Sequence, residues 1–178
     1  MSAATSASAE KAALRASVLA ARAGRPAAER AAAGDRLAEA VHRWLAGTAM
    51  VALYESFGTE PPTTALLELL ARDGIDVIIP VLRPDLDLDW ARYGAPATLL
   101  GPGAVAEADA VVVPALAVDR AGVRLGRGGG SYDRALARTD RPALALVYDD
   151  ELLPRLPAEP HDRAVQAVAT PSGGLVEL

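Results

Sequence analysis

The densest chemical signal in the sequence is a glycine-rich run bounded by arginines. Four of the five residues from 126 to 130 are glycine, Arg124 and Arg127 lie within the segment, and Asp133 follows it. When such a loop joins a strand to a helix, its backbone N–H groups approach an anion closely, and the helix N-terminus adds partial positive charge. Guanidinium groups pair with phosphate oxygens, and a carboxylate in the first helical turn suits Mg²⁺. The segment therefore predicts a phosphate site.

Taken alone, the glycine run is equally typical of a flexible surface loop that ends in an acidic helix cap, because short glycine motifs have weak specificity. No Gly-Lys-Ser/Thr follows the glycines, so the segment is not a P-loop, and its spacing does not match the Rossmann fingerprint. An RNA-binding Arg-Gly segment is a poor fit because this is one loop in an acidic chain.

A second candidate site involves the only lysine in the chain. Lys11 precedes Arg15 by four residues on a predicted helix, so the two cations share one face and repel each other by a few tenths of a kcal/mol. An anion bound between them removes this repulsion, whereas the alternative is a pair of solvated surface cations. Every other basic residue is arginine. A compact ammonium that arginine does not replace is one explanation for the surviving lysine.

Composition excludes several classes of function. The 178 residues include 23 acidic and 18 basic side chains, a net charge of −5, which argues against nucleic acid or an anionic membrane as the main partner. The absence of cysteine excludes disulfides, thiolate chemistry and zinc sites built on cysteine. We find neither a signal-peptide core nor the roughly 20 apolar residues of a membrane span. We expect a cytoplasmic protein whose main partner is neither nucleic acid nor a membrane; its oligomeric state is open, and a monomer is compatible with the sequence.

The pattern of apolar residues predicts a single α/β domain over residues 1–178, with residues 1–8 disordered. Two helices joined by a turn at 24–26 are predicted over residues 9–46. Further helices are predicted at 63–72 and 132–138. Buried strands are predicted at 50–54, 75–80, 110–113, 143–147 and 165–169. The strand, helix and strand between residues 50 and 80 form a βαβ unit, and the alternation over 86–92 indicates a half-exposed strand.

The segment from Pro114 to Arg134 resembles the signature of the 5-formyltetrahydrofolate cyclo-ligase (methenyltetrahydrofolate synthetase) family. That signature reads Pro-x-Leu-Ala-Phe-Asp, then Arg-Leu-Gly-x-Gly-x-Gly-Tyr-Tyr-Asp-Arg; here Val118 replaces the phenylalanine and Ser131 the first tyrosine. Three other stretches resemble family elements in the expected order: the Lys-x-x-x-Arg of residues 11–15, the strand followed by Glu-x-x-Thr at 51–63, and the Leu-Pro and His-Asp pairs at 156–162. The family's Gly-Ile-x-Glu-Pro element is absent, and residues 99–107 form a shorter Gly-Pro-Gly stretch instead.

The resemblance implies a three-layer α/β fold with a mostly parallel sheet, of the sugar-isomerase and CoA-transferase type. It implies the ATP-dependent conversion of 5-formyltetrahydrofolate to 5,10-methenyltetrahydrofolate, with Mg²⁺ as cofactor. The family's ATP-binding positions correspond to Lys11, Arg15, Arg124, Leu125, Gly126, Arg127, Gly128, Gly129, Gly130, Ser131 and Tyr132. Arg127 is the catalytic candidate. Glu55 and Glu60 are the candidates for folate binding, and Asp133 and Asp162 are those for the metal.

Each acidic residue also has a purely structural interpretation. Glu60 precedes a predicted helix, where negative charge is favourable in any case, and Asp162 follows a proline in a predicted turn. A pterin ring requires flat apolar walls, although core packing is the usual role of an aromatic side chain. The candidates for these walls are Tyr54, Phe57, Trp90, Tyr93 and Tyr132.

Two other functions are compatible with the sequence. The replacement of an aromatic by Ser131 and the missing loop element favour a nucleotide-binding protein of the same fold that has lost folate turnover. A sugar-phosphate isomerase would need a catalytic carboxylate and a base but no ATP.

Overall fold

The computed structural model describes the backbone of residues 3–178 and the side chains of residues 7–178. The helices are α1 (Ala3–Ala23), α2 (Ala27–Trp44), α3 (Thr64–Arg72) and α4 (Ser131–Leu136), with 3-10 helices at Pro102–Glu107 and Asp149–Glu151. The strands are β1 (Met50–Leu53), β2 (Asp76–Leu82), β3 (Leu88–Arg92), β4 (Ala95–Leu99), β5 (Ala110–Pro114), β6 (Ala117–Asp119), β7 (Arg124–Leu125), β8 (Ala143–Leu146), β9 (Leu152–Leu153), β10 (Ala167–Thr170) and β11 (Gly174–Glu177).

Eight strands form one sheet in the order β11-β10-β8-β5-β1-β2-β3-β4. The five strands from β10 to β2 in this order run parallel, and antiparallel strands complete the sheet at both edges. Since β1 and β2 pair in parallel and α3 connects them, the predicted βαβ unit is confirmed. The central strands alternate little between apolar and polar residues because both of their faces are buried.

Helical segments cover both faces of this sheet. Val51 and Leu53 of β1 pack on the side of α2 and α3, whereas Ala52 between them packs on the side of α4 and the 3-10 helix at 102–107. Successive side chains of a strand point to opposite faces, so a short run of apolar residues supplies two cores. The predicted fold class, a three-layer α/β domain with a mostly parallel sheet, is confirmed.

Helix α1 packs against a second, smaller sheet with strand order β7-β6-β9. Its residues Leu14 and Val18 contact the apolar cluster of Leu116 and Leu125. At its C-terminal end, the buried Arg22 donates to both carboxylate oxygens of Glu151 at 2.7 Å and to the carbonyl oxygen of Ala115 at 2.7 Å. An apolar stripe and a buried ion pair therefore fix the position of α1.

The chain departs from the predicted elements at its beginning. Helix α1 begins at Ala3, so residues 3–8, for which the sequence predicted disorder, belong to the helix. The alanine-rich composition of this segment explains the longer helix, because alanine has the highest helix propensity. Residues 1 and 2 lie outside the described part of the chain.

A second departure concerns β3, which is buried rather than half-exposed. Trp90 has no exposed surface, because the 3-10 helix at 102–107 packs over this strand. The polar residue beside it, Asp89, accepts hydrogen bonds from the backbone N–H groups of Trp90 and Gly101 at 2.7 and 2.8 Å. In the alternating pattern of this strand, the polar residue Asp89 therefore accepts hydrogen bonds from backbone N–H groups and does not face water.

No helix in the described part of the chain combines the length and the apolar character that crossing a membrane requires. The assignment of residues 1–178 to one domain stays a prediction.

Candidate active site

A cavity of about 690 Å³ opens at the carboxyl ends of strands β1, β2 and β5. The chain leaves β1 toward β2 on one side and leaves β5 toward β8 on the other. Such a reversal of strand order opens a crevice in which α/β proteins bind ligands. This crevice is lined by Tyr54 and Glu55 after β1, by Pro114 at the end of β5 and by Ala115 after it. Its volume is typical of a site for a cofactor or a small molecule.

The glycine-rich loop lies between β7 and α4 and lines the cavity. Gly128 and Gly130 have φ angles of 102° and 66°, a backbone region in which a side chain is strained. A side chain at position 128 would also approach the guanidinium carbon of Arg15 to 3.5 Å. That distance is an ordinary van der Waals contact, so glycine is required at these two positions for the path of the backbone.

Arg124 and Asp133 pair at one end of the loop. The Nη2 atom of Arg124 lies 3.0 Å from the Oδ1 atom of Asp133, which also accepts a hydrogen bond from the backbone N–H of Arg163 at 3.2 Å. The guanidinium lies 5.8 Å from the ring centre of Tyr132. Burial raises the pKa of the Tyr132 phenol, so this hydroxyl group stays protonated at neutral pH.

Arg127 and Glu60 connect the glycine loop to the loop that follows β1. The Nη2 and Nε atoms of Arg127 lie 3.2 and 3.3 Å from the Oε1 atom of Glu60. The side chain of Arg127 is 46% exposed and that of Glu60 only 5%. Phe57 contributes twice, because its ring lies 4.5 Å from the guanidinium and its backbone N–H donates to the Oε2 atom of Glu60 at 3.1 Å. The buried carboxylate of Glu60 thus lines the cavity and pairs with the more exposed guanidinium of Arg127.

Lys11 and Arg15 project from α1 into the same cavity. The Nζ atom of Lys11 lies 2.7 Å from Asp162 and 2.8 Å from Glu159, and Arg15 Nε donates to the carbonyl oxygen of Gly126 at 2.8 Å. Burial lowers the pKa of Lys11, but the two ion pairs outweigh this effect and raise it above its ordinary value. Lys11 is therefore charged at neutral pH.

The carboxylates near Lys11 define the candidate metal site. In the side chains described, Glu159, His161 and Asp162 each place a ligand atom within 4.8 Å of the others. Asp133, the other predicted ligand, lines the same cavity but lies outside this group and pairs with Arg124. Glu159 could not be predicted from the sequence, because an acid before a proline in a loop carries no recognisable signal.

Every site residue predicted from the sequence lines this one cavity, including both glutamates, both aspartates and the whole run from Arg124 to Tyr132. Among the aromatic candidates, Tyr54, Phe57 and Tyr132 also line it. Trp90 and Tyr93 are not among the lining residues and do not form pocket walls, and for Trp90 the alternative of core packing is confirmed. Trp90 packs inside the core because the 3-10 helix covers its strand, and Tyr93 lies in the turn after β3. Leucines of β2, β3 and their connection complete the wall: Leu82, Leu86 and Leu88.

Fold and site together define an α/β protein with a glycine-rich loop beside a carboxylate-lined cleft at the strand reversal of its sheet. Residues 7–171 match the 5-formyltetrahydrofolate cyclo-ligase family. The chain belongs to this family.

Relatives of known identity agree with this assignment. The chain is 43% identical over 166 residues to the 5-formyltetrahydrofolate cyclo-ligase of Mycolicibacterium smegmatis, covering 79% of this chain and 85% of that protein. It is 32% identical to the enzyme of the same name from Escherichia coli K12, over 68% of this chain and 78% of that protein.

Two methenyltetrahydrofolate synthetases are among the solved structures that resemble this chain. The 5,10-methenyltetrahydrofolate synthetase of Aquifex aeolicus has a TM-score of 0.74 at 26% identity, covering 94% of this chain and 92% of that one. The synthetase of Mycoplasma pneumoniae has a TM-score of 0.78 at 22% identity, covering 89% and 97%, and supports the fold alone.

Proposed function

We propose that this protein converts 5-formyltetrahydrofolate to 5,10-methenyltetrahydrofolate and uses ATP, which becomes ADP and phosphate. Membership of the cyclo-ligase family supports the ligase activity and the folate substrate. One contact supports the arrangement of the two substrates: the ion pair between Arg127 of the glycine loop and Glu60 of the loop after β1. It joins the candidate phosphate site to the candidate folate site within one cavity.

The reaction needs ATP because the formyl oxygen is a poor leaving group. This oxygen attacks the γ-phosphorus of ATP, a new O–P bond forms, and the bond between that phosphorus and the oxygen of ADP breaks. N10 of the folate then attacks the activated carbon and loses its proton, and the oxygen leaves as phosphate. Little covalent chemistry falls to the protein, whose contribution is to position the substrates and neutralise charge.

The basic residues of α1 and the glycine loop would bind the ATP phosphates. Lys11 and Arg15 reach the cavity from one side and the loop N–H groups from the other. To bind a phosphate, Lys11 must exchange its two carboxylate partners for phosphate oxygens. Arg15 already bonds a loop carbonyl and so aligns α1 with the loop.

The donors near Lys11 suit Mg²⁺, because carboxylate oxygens are the ligands this ion prefers in proteins. Asp162 and Asp133 would hold it, with Glu159 as a neighbouring carboxylate. When bound, Mg²⁺ supplies positive charge that offsets the charge of the ATP phosphates.

Glu60 and Arg127 have complementary roles in the proposed reaction. A buried carboxylate accepts hydrogen bonds from the N–H and amino groups of a pterin, and Glu60 is fixed in place by Phe57 and Arg127. Glu55 lines the cavity beside it and is the second folate candidate. Arg127 pairs with Glu60 but is the more exposed of the two, and in the proposed complex its guanidinium would lie between the substrates and follow the transferred phosphoryl group. We also place this activity in the cytoplasm.

A direct assay tests the proposal. The purified protein is incubated with 5-formyltetrahydrofolate, ATP and Mg²⁺, and the absorbance of the methenyl product is followed. We expect product only when both ATP and Mg²⁺ are present, with a reaction containing EDTA as the control. Binding of ATP without product would instead support a nucleotide-binding protein that lacks folate turnover. Conversion of a sugar phosphate without ATP would support an isomerase.

A further inference from the structure

The loop that joins β2 to β3, residues 83–87, contains a strained leucine. Leu86 has a φ of 63°, and it is the one non-glycine residue in the described backbone with a positive φ. The left-handed region is rare for a bulky side chain and persists only where surrounding contacts enforce it. Two backbone hydrogen bonds of the hairpin form this turn, from Leu86 N–H to the Arg83 carbonyl oxygen at 3.0 Å and from Arg83 N–H to the Asp87 carbonyl oxygen at 2.9 Å. Further contacts come from α4, the helix that follows the glycine loop.

Two side chains of α4 bind the carbonyl oxygen of Leu86. The Oγ atom of Ser131 and the Nη2 atom of Arg134 both donate to it at 2.5 Å. The next residue is fixed as well, since Asp87 accepts hydrogen bonds from both terminal nitrogens of Arg138 at 2.6 and 2.9 Å. The loop is therefore attached to α4 by a network of charged and polar contacts.

This attachment places an apolar side chain at the mouth of the cavity. Leu86 lines the cavity together with Leu82 and is 49% exposed; Phe57 lies on the same cavity and is also largely exposed. Large apolar side chains in contact with water beside a polar cleft are typical of a surface that a ligand covers. The family signature has an aromatic residue where this chain has Ser131, and the serine hydroxyl binds the loop that carries Leu86.

We infer that Leu86 contacts the flat ring system of the folate substrate and helps to determine specificity, and that Ser131 is a positioning residue that holds Leu86 there. The inference rests on the proposed function, because it assigns the apolar wall to the folate. It also changes the role of Ser131, whose side chain serves the folate half of the cleft through Leu86, although the residue lies next to the ATP loop.

The leucine is tested by two variants, Leu86→Ala and Leu86→Gly. We expect the dissociation constant and KM for 5-formyltetrahydrofolate to rise about five- to tenfold in both, because apolar contact with the substrate is lost, while KM for ATP stays within about twofold. Leu86→Gly also removes the backbone strain, so its Tm should equal or exceed that of Leu86→Ala. Leu99→Ala is the matched control, because Leu99 is 56% exposed on β4 and does not line the cavity. Folate constants within twofold of wild type in both Leu86 variants would overturn the assignment.

The positioning role of Ser131 is tested by Ser131→Ala and Ser131→Thr. Removal of the hydroxyl group should raise KM for folate about threefold. This rise is smaller than that expected for the leucine variants, because Arg134 still binds the carbonyl oxygen of Leu86. Threonine retains a hydroxyl group and should restore the wild-type KM. An equal rise of KM for ATP and folate in Ser131→Ala would mean that the hydroxyl group acts on the nucleotide, and would overturn the positioning role.

The measurements separate this inference from the proposed function. Folate binding is measured without ATP and so does not depend on turnover. If the wild-type protein binds folate but forms no product, the proposed activity is contradicted, and the folate dissociation constants of the variants still test the role of Leu86. If the wild type forms product but the Leu86 variants have unchanged folate dissociation constants and KM values, only the assignment of Leu86 is contradicted. If the wild type binds ATP but no folate, both are overturned.

Discussion

Lys11 Nζ lies 2.7 Å from Asp162 Oδ2, so the lysine predicted to bind ATP and the aspartate predicted to bind magnesium neutralise each other. Glu159 adds a second carboxylate at 2.8 Å. MgATP supplies a replacement partner for each side of this ion pair. Its phosphates can bind the lysine, and its Mg²⁺ can bind the carboxylates. The nucleotide can therefore enter without leaving either partner buried and uncompensated.

Replacement of the lysine tests this exchange. We expect Lys11→Ala to raise KM for ATP by about tenfold or more, because one charged hydrogen bond to phosphate is lost, with KM for folate nearly unchanged. Lys11→Arg should recover only part of the loss, because the guanidinium keeps the positive charge but spreads it over a larger, planar group. Steady-state kinetics with each substrate varied in turn measures both constants. Arg36→Ala, an exposed cation on α2, is the control. An unchanged KM for ATP in Lys11→Ala would refute the role of the lysine.

Arg127 should affect turnover more than binding. An arginine that follows the transferred phosphoryl group contributes about 10³-fold or more to the rate, so Arg127→Ala should lower kcat to that extent. Arg127→Lys should not restore it, because an ammonium does not reproduce the fork that contacts Glu60 through two nitrogens. Single-turnover measurement of product formation isolates the chemical step. Arg120→Ala, an exposed arginine between β6 and β7, should behave as wild type. A tenfold or smaller loss in Arg127→Ala would show that the guanidinium only binds substrate.

The two glutamates after β1 should differ in their effect on folate. Glu60→Gln removes a buried charge that pairs with Arg127, and the amide is a weaker acceptor for pterin N–H groups, so we expect KM for folate to rise about tenfold. Glu55→Gln changes an exposed side chain and should have a smaller effect. Isothermal titration with 5-formyltetrahydrofolate compares the two directly. If Glu55→Gln is the more severe variant, the assignment of the pterin to Glu60 is wrong.

Among the contacts that hold α1 in place, the buried ion pair between Arg22 and Glu151 should contribute most to the free energy of unfolding. Glu151→Ala leaves the Arg22 guanidinium buried without a counter-charge, a loss of about 3–5 kcal/mol in the free energy of unfolding and roughly 10 °C in Tm. The neighbouring Asp150 is 59% exposed, so Asp150→Ala should cost less than about 1 kcal/mol. Thermal and denaturant unfolding of both variants gives the comparison. Equal stabilities for the two would show that the pair contributes little.

The contact between Asp87 and Arg138, two residues after α4, predicts a pH dependence. Hydrogen bonds from Arg138 lower the pKa of Asp87 in the folded protein, so the carboxylate stabilises the fold at pH values above its ordinary pKa of about 3.9. As the pH falls through the lowered folded-state pKa, the carboxylate is protonated and this stabilisation is lost. Asp87→Asn should therefore have a lower Tm than wild type at pH 7, and the difference should shrink below about pH 4. Asp140 is an exposed acid after α4, so Asp140→Asn controls for the loss of one negative charge. A Tm difference between Asp87→Asn and wild type that does not change with pH would contradict the role of the carboxylate.

Much of the fold could be predicted because its central strands are short apolar runs separated by helices and glycine turns. β1, β2, β5, β8 and β10 were all predicted within a few residues. The short strands of the second sheet could not be, because two- and three-residue strands leave no periodicity to detect. The burial of Trp90 depends on a 3-10 helix whose sequence resembles a loop, so no local pattern indicates it.

For the candidate site, sequence motifs identified residues but not their partners. The glycine run and the glutamate after β1 were recognisable, yet the pairing of Arg127 with Glu60 joins positions 67 residues apart and depends on the strand order. Glu159 and Leu86 were missed for a similar reason. An acid in a loop and a leucine in a hairpin are common, and only the approach of α1 and α4 gives them a role.

The contacts that fix α1 also determine when the helix can take its place. Its partners Glu151, Glu159 and Asp162 follow in the chain 129, 148 and 151 residues later. During synthesis, α1 therefore leaves the ribosome long before the carboxylates that neutralise its inner face exist, and contacts of such long range form late. The strands from β1 to β8 are complete by residue 146, before any of these partners has been made. The nucleotide half of the cleft thus assembles late, onto strands β1 to β8, which are synthesised before it is complete.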